Sequence, residues 1–141
     1  MKVSLKRTNE KFLFEAVGES GVPVYIDSKT DEASRGASPM ELILMGVGGC
    51  NAIDIISILQ KQRQEITSYR IEVEGERKEV REAKPFKAIH VTIFLEGKID
   101  PAKALRAAQL SFEKYCSVSI TLEGGVKTTY SIVLNGEKLE I

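Results

Sequence analysis

The soft nucleophiles and metal ligands in this sequence are few: Cys50, Cys116 and a single histidine, His90. A cysteine attacks or ligates as its thiolate, so its surroundings decide whether it is reactive or inert. Two cysteines and one histidine are too few for a usual zinc site, which takes three or four protein ligands. No metal or other cofactor is therefore expected. His90 lies in Ala88-Ile89-His90-Val91-Thr92-Ile93, an alternating strand pattern, and reads as a strand-face histidine without chemistry. Cys50 and Cys116 are 66 positions apart (116 minus 50), which does not say whether they meet in space. Each reads either as a small buried hydrophobe or as a reactive thiol, and composition leaves both readings open.

The elements that must position these thiols follow from the pattern of apolar residues. Ser38-Pro39-Met40-Glu41 has the form of a helix start. Serine caps, proline suits the first helical position, and Glu41 falls where it completes a capping box at the positive end of the helix dipole. The helix is expected from Pro39 to about Gln62, with Cys50 about three turns in. Gly46, Gly48 and Gly49 inside it cost roughly 1 kcal/mol each against alanine, which implies a neighbour packed closely on the glycine face. The macrodipole acts mainly in the first turn, so a thiolate at Cys50 needs a cation from elsewhere. Among Arg7, Arg35 and Arg63, Arg35 in the loop before the helix is the preferred one.

Before that helix, Lys11–Val17 and Val22–Ile26 read as short strands, and Asp27–Ala37 as a loop. After it, Ser68–Glu79 and Phe86–Leu95 alternate and pair as antiparallel strands. Asp100-Pro101 opens a second helix that ends near Tyr115, leaving Cys116 just beyond it. Gly124-Gly125 marks a turn, and Val126–Leu134 is a last strand. The order is α+β, with no internal repeat or linker, and residues 1–141 read as a single domain.

Charges balance, with 20 Lys and Arg against 20 Asp and Glu. That argues against a nucleic-acid partner, which calls for a basic excess or stripe. The N-terminal residues lack the apolar run of a signal peptide, so a cytoplasmic protein is expected. Leu42–Leu59 is apolar and near membrane-span length, but Gly46, Gly48, Gly49, Asn51, Asp54 and Ser57 interrupt it. A buried central helix is expected there, with no membrane partner. Its apolar residues do not fit one stripe, so it must be covered nearly all round. A sheet of five or six strands and the second helix leave part of it bare, and a symmetric homodimer is expected to cover the rest.

The stretch Gly36-Ala37-Ser38-Pro39-Met40-Glu41-Leu42, leading to Gly49-Cys50, resembles a stretch of the OsmC / organic hydroperoxide resistance family. There a helix start of Asn-Pro-Glu type leads to the reactive cysteine. Lys114-Tyr115-Cys116-Ser117-Val118-Ser119 is similar to the family's second-cysteine motif, usually Cys-Pro-Val-Ser. The resemblance implies antiparallel sheets packed around a long central helix in an intertwined homodimer. It also implies a thiol peroxidase acting on organic hydroperoxides, with Cys50 peroxidatic, Cys116 resolving, and an external thiol or dithiol as reductant. The family's Arg/Glu pair, which holds the thiolate, maps onto Arg35 and Glu41. The family glutamate directly follows the helix-start proline, where Met40 stands here; Glu41 is one residue on, roughly 100° around the helix. That departure favours the alternative reading, a non-catalytic binding or redox-sensing protein of the same fold.

Overall fold

The computed structural model describes residues 1–28 and 33–141. Residues 29–32, part of the loop expected over Asp27–Ala37, lie outside the described residues. The chain forms two compact units, Met1–Ile43 and Leu44–Ile141.

In the first unit, strands β1 (Ser4–Arg7), β2 (Phe14–Val17) and β3 (Val24–Ile26) make an antiparallel sheet in that order. The chain returns to β3 at an isolated bridge between Ile26 and Ala37. Helix α1 (Pro39–Lys61) begins in this unit with the expected capping box. Glu41 N–H donates to Ser38 Oγ at 3.2 Å, and Ser38 N–H donates to Glu41 Oε1 at 3.0 Å. Two helix-end donors are thereby satisfied by side chains three residues apart.

In the second unit, β4 (Glu65–Arg77), β5 (Phe86–Lys98), β6 (Lys127–Leu134) and β7 (Glu137–Lys138) form one sheet in that order. The long β4–β5 pair is antiparallel, as expected. β5 and β6 run parallel, from Ala88↔Lys127 to Leu95↔Leu134. An all-antiparallel arrangement is thus corrected to two sheets, the second of them mixed. The cause is the connection. Helix α2 (Pro101–Leu110), a π-helical turn (Ser111–Tyr115) and helix α3 (Ser117–Leu122) carry the chain back before β6 begins, and such a crossover delivers a parallel strand. The second helix therefore ends five residues earlier than its apolar pattern suggested.

Alternation along β5 buries Ile89, Val91, Ile93 and Leu95, and β6 places Ile132 and Leu134 opposite the last two. Each such side chain contributes about 1.5–3 kcal/mol on burial. The other face carries His90, Thr92, Thr129 and Ser131, with Phe94 lying under the Arg70 guanidinium at 3.9 Å. His90 there shares hydrogen bonds with Thr129 Oγ1 at 2.7 Å and Ser131 Oγ at 2.9 Å, a structural role on the strand face. Asp100 caps α2 by accepting from Ala102 N–H at 2.9 Å, and Phe112 stacks on Tyr130 of β6 at 4.5 Å.

By length and composition α1 could cross a bilayer. Here its Val47, Gly48, Asn51, Ile55 and Leu59 are buried by protein. Gly48 explains the glycine cost: a Cβ there would stand 2.9 Å from Val73 Cγ2 on β4, so only glycine admits the strand at this distance. A different side of the helix carries Met45, Gly49 and Ile53, one turn apart from each other. Met45 is 57% exposed and Ile53 71%, so the described residues leave this apolar stripe uncovered.

Candidate active site: a paired thiol with a carboxylate

Cys50 and Cys116 come together. Their sulfurs and a carboxylate oxygen of Asp54 all lie within 4.8 Å of one another. Both thiols are free, Cys50 half-buried and Cys116 buried. Helix α1 and the crossover bring this about. Cys50 and Asp54 sit four residues apart on α1 and so share a face. Cys116 arrives from the crossover.

The π-helical turn places Cys116. Cys116 N–H donates to Ser111 O at 2.8 Å, closing a ring one residue wider than an α-turn. Such turns concentrate at functional sites; this one begins at Ser111 and is followed directly by Cys116. At its start, Ser111 Oγ lies 2.7 Å from Asn51 Oδ1 and 2.9 Å from Asp54 Oδ2. The hydroxyl has one proton and can donate to only one of these acceptors at a time. Asn51 is wholly buried, and its Nδ2 donates to Val47 O at 2.8 Å, which orients Oδ1 toward Ser111. At its end, Cys116 becomes the N-cap of α3, its Sγ accepting Ser119 N–H at 3.3 Å.

The Cys50 thiol is pushed above its ordinary pKa. Burial is the largest cause, followed by a hydrogen bond with Cys116; the charges of Cys116 and Asp54 add to it. A hydrogen bond from the Val118 backbone N–H acts in the opposite sense, because it stabilises an anionic sulfur.

The other two residues assigned a role from sequence belong to the first unit. Glu41 serves in the capping box described above. Arg35 is exposed; its backbone N–H donates to Asp27 Oδ2 at 3.0 Å, and it lines a surface cavity with Asn9, Phe12 and Asp27. Sequence reasoning missed Asp54 and Ser111 as parts of the site. Asp54 had a signal, since a carboxylate one turn from Cys50 in an apolar helix must share its surroundings. Ser111 had none, because its partners are 57 and 60 residues away.

The OsmC-like protein family matches residues 30–131. Protein YhfA of Escherichia coli K12 is 37% identical over 123 residues, covering 86% of this chain and 90% of that protein. A hypothetical protein from Aquifex aeolicus VF5, solved by crystallography, is 29% identical with a TM-score of 0.78, over 95% of this chain and 96% of the other. The organic hydroperoxide resistance protein OhrB of Bacillus subtilis shares the fold at 22% identity and a TM-score of 0.63, over 93% and 96% of the two chains. The family match spans more than half of the chain and the Escherichia coli relative most of it, and this chain belongs to the OsmC-like proteins.

Proposed function

We propose that this chain is a thiol-dependent reductase of organic hydroperoxides. The observation that carries the reading is the meeting of Cys50 and Cys116 across 66 positions of chain, with the more accessible thiol on the helix. The Cys50 thiolate attacks the outer peroxide oxygen and the O–O bond breaks. Cys50 becomes a sulfenic acid, and the alkoxide takes up a proton and leaves as the alcohol. The Cys116 thiol then condenses with the sulfenic acid, forming a disulfide and releasing water. An external dithiol reduces the disulfide by exchange. The Val118 N–H supports the anionic sulfur, and we assign Arg35, backed by Glu41, as its ionic partner. The functional unit in this reading is a cytoplasmic homodimer.

The test is steady-state turnover of cumene hydroperoxide with a dithiol, joined to mass spectrometry of protein treated with one equivalent of peroxide. A Cys50–Cys116 cross-linked peptide is expected, and in Cys116→Ser over-oxidised Cys50 instead. Free thiols that persist after peroxide treatment would exclude the mechanism. One feature favours a second reading, a non-catalytic small-molecule-binding or redox-sensing protein of slow turnover: Met40 stands where the family glutamate is expected, and burial pushes the Cys50 thiol up, against the thiolate. The sensing form of that reading requires a single oxidation event without sustained turnover.

A further inference from the structure

The site contains a third ligand that the cysteine and histidine count did not include. We propose that Cys50, Asp54 and Cys116 bind one thiophilic divalent cation of the zinc class, with three protein ligands and a fourth position open. Two observations carry this. The first is spacing: the two sulfurs and the carboxylate oxygen lie within 4.8 Å of one another. A tetrahedral zinc ion with Zn–S near 2.3 Å and Zn–O near 2.1 Å needs its ligands about 3.6–3.8 Å apart. Closing by about 1 Å, within the reach of side-chain rotation, brings all three into place.

The second observation is that two of the three ligands, Cys116 and Asp54, already have a polar neighbour outside them. Ser119 N–H donates to Cys116 Sγ at 3.3 Å, and Ser111 Oγ, shared with Asn51 Oδ1, lies 2.9 Å from Asp54 Oδ2. Metal sites hold their ligands through such outer hydrogen bonds, which orient the donor atoms and tune their basicity. The donor set is soft enough for zinc, cadmium or cobalt(II) and unsuited to magnesium or calcium, which take oxygen. Cys50 is half-exposed and gives the ion an entry path.

Binding releases two protons, one from each thiol, to solvent. Two thiolates and one carboxylate then surround a 2+ ion. The same two sulfurs cannot at once ligate the metal and form a disulfide, so the bound ion protects the pair from oxidation. This occupancy does not rest on peroxidase turnover.

The test is a titration of the reduced protein with cobalt(II) in the presence of a phosphine reductant. One cobalt per chain is expected, with a sulfur-to-cobalt charge-transfer band and the visible bands of a four-coordinate site, displaced by zinc. Cys50→Ser and Cys116→Ser each lose most of the charge-transfer band. Asp54→Asn keeps the Ser111 hydrogen bond and the unfolding midpoint but binds at least tenfold more weakly. Protein whose two thiols have been joined by diamide, which removes two electrons and two protons, does not bind. Absence of the charge-transfer band in reduced protein overturns the proposal, as does unchanged affinity in Asp54→Asn. Hydroperoxide turnover is measured separately on metal-free protein, so either result stands without the other.

Discussion

Removing one hydroxyl, in Ser111→Ala, tests whether the polar network beneath the thiols holds the crossover to α1. Ser111 and Asn51 are both wholly buried, and Asn51 Oδ1 accepts from Ser111 Oγ at 2.7 Å. The substitution leaves that carbonyl in a dry site without its donor, at a cost of about 1–3 kcal/mol. The 2.9 Å neighbour Asp54 Oδ2 shares that one proton with Asn51, and Asp54 is half-buried, so it adds no second lost bond. The expected loss is therefore about 1–3 kcal/mol, with no cavity larger than the hydroxyl itself. The assay is urea unfolding at fixed protein concentration, since self-association would shift the midpoint. The same substitution in an Asn51→Ala background should cost at least 1 kcal/mol less, because the orphaned carbonyl is already gone. A loss below about 0.5 kcal/mol, or strict additivity with Asn51→Ala, would refute the idea that this network is a shared constraint.

Cys50 should alkylate with iodoacetamide along a pH profile displaced upward from that of free cysteine, since burial, the Cys116 hydrogen bond and Asp54 all disfavour its anion. Asp54→Asn removes one of those causes and should move the profile down; a midpoint below free cysteine in the parent protein would contradict this. In α1, no described residue of the same chain lies within 4 Å of a Cβ added at Gly49, so Gly49→Ala should stabilise by up to about 1 kcal/mol unless a partner copy packs on this stripe, in which case it should destabilise the assembly. Gly48→Ala should be less stable than Gly49→Ala, because Val73 is in the way at 2.9 Å; equal urea midpoints would show that β4 yields freely. The exposed Met45 and Ile53 stripe should be covered in a homodimer, so a folded monomer at micromolar concentration in analytical ultracentrifugation would falsify the expected assembly.

Locally coded features were legible. The Ser38–Glu41 capping box needs only residues three apart, and both of its hydrogen bonds are present. The alternation in β4 and β5 was equally plain, because one face of each strand meets the core. What could not be read was set by partners far along the chain. No residue in Val126–Leu134 announces that its strand runs parallel to β5. The π-helical turn lacks the Gly or Pro that usually punctuates a helix, so Ser111–Tyr115 passed for a continuous one. Cysteine is an unusual cap, which hid α3. At the site, the two thiols were recognisable from the motifs around them. Asn51 and Asp54 were visible only as polar interruptions of an apolar helix, and their common partner, Ser111, emerged only once the crossover was folded back.

The separation of the two thiols along the chain gives their chemistry a mechanical side. A bond between Cys50 and Cys116 ties off a loop of 66 positions that includes β4, β5, α2 and the π-helical turn. In the chain-entropy account, closing a loop of that length removes about 4 kcal/mol of freedom from the unfolded ensemble. That is a large fraction of the 5–15 kcal/mol or so by which domains resist unfolding. The oxidised chain would then be the sturdier one, and by reciprocity the folded chain holds its disulfide more tightly against a reductant than the unfolded chain does. A reductant able to restart the cycle must overcome that added resistance, and a local opening of α3, which carries no strand of the sheet, would be the cheapest way to grant it access.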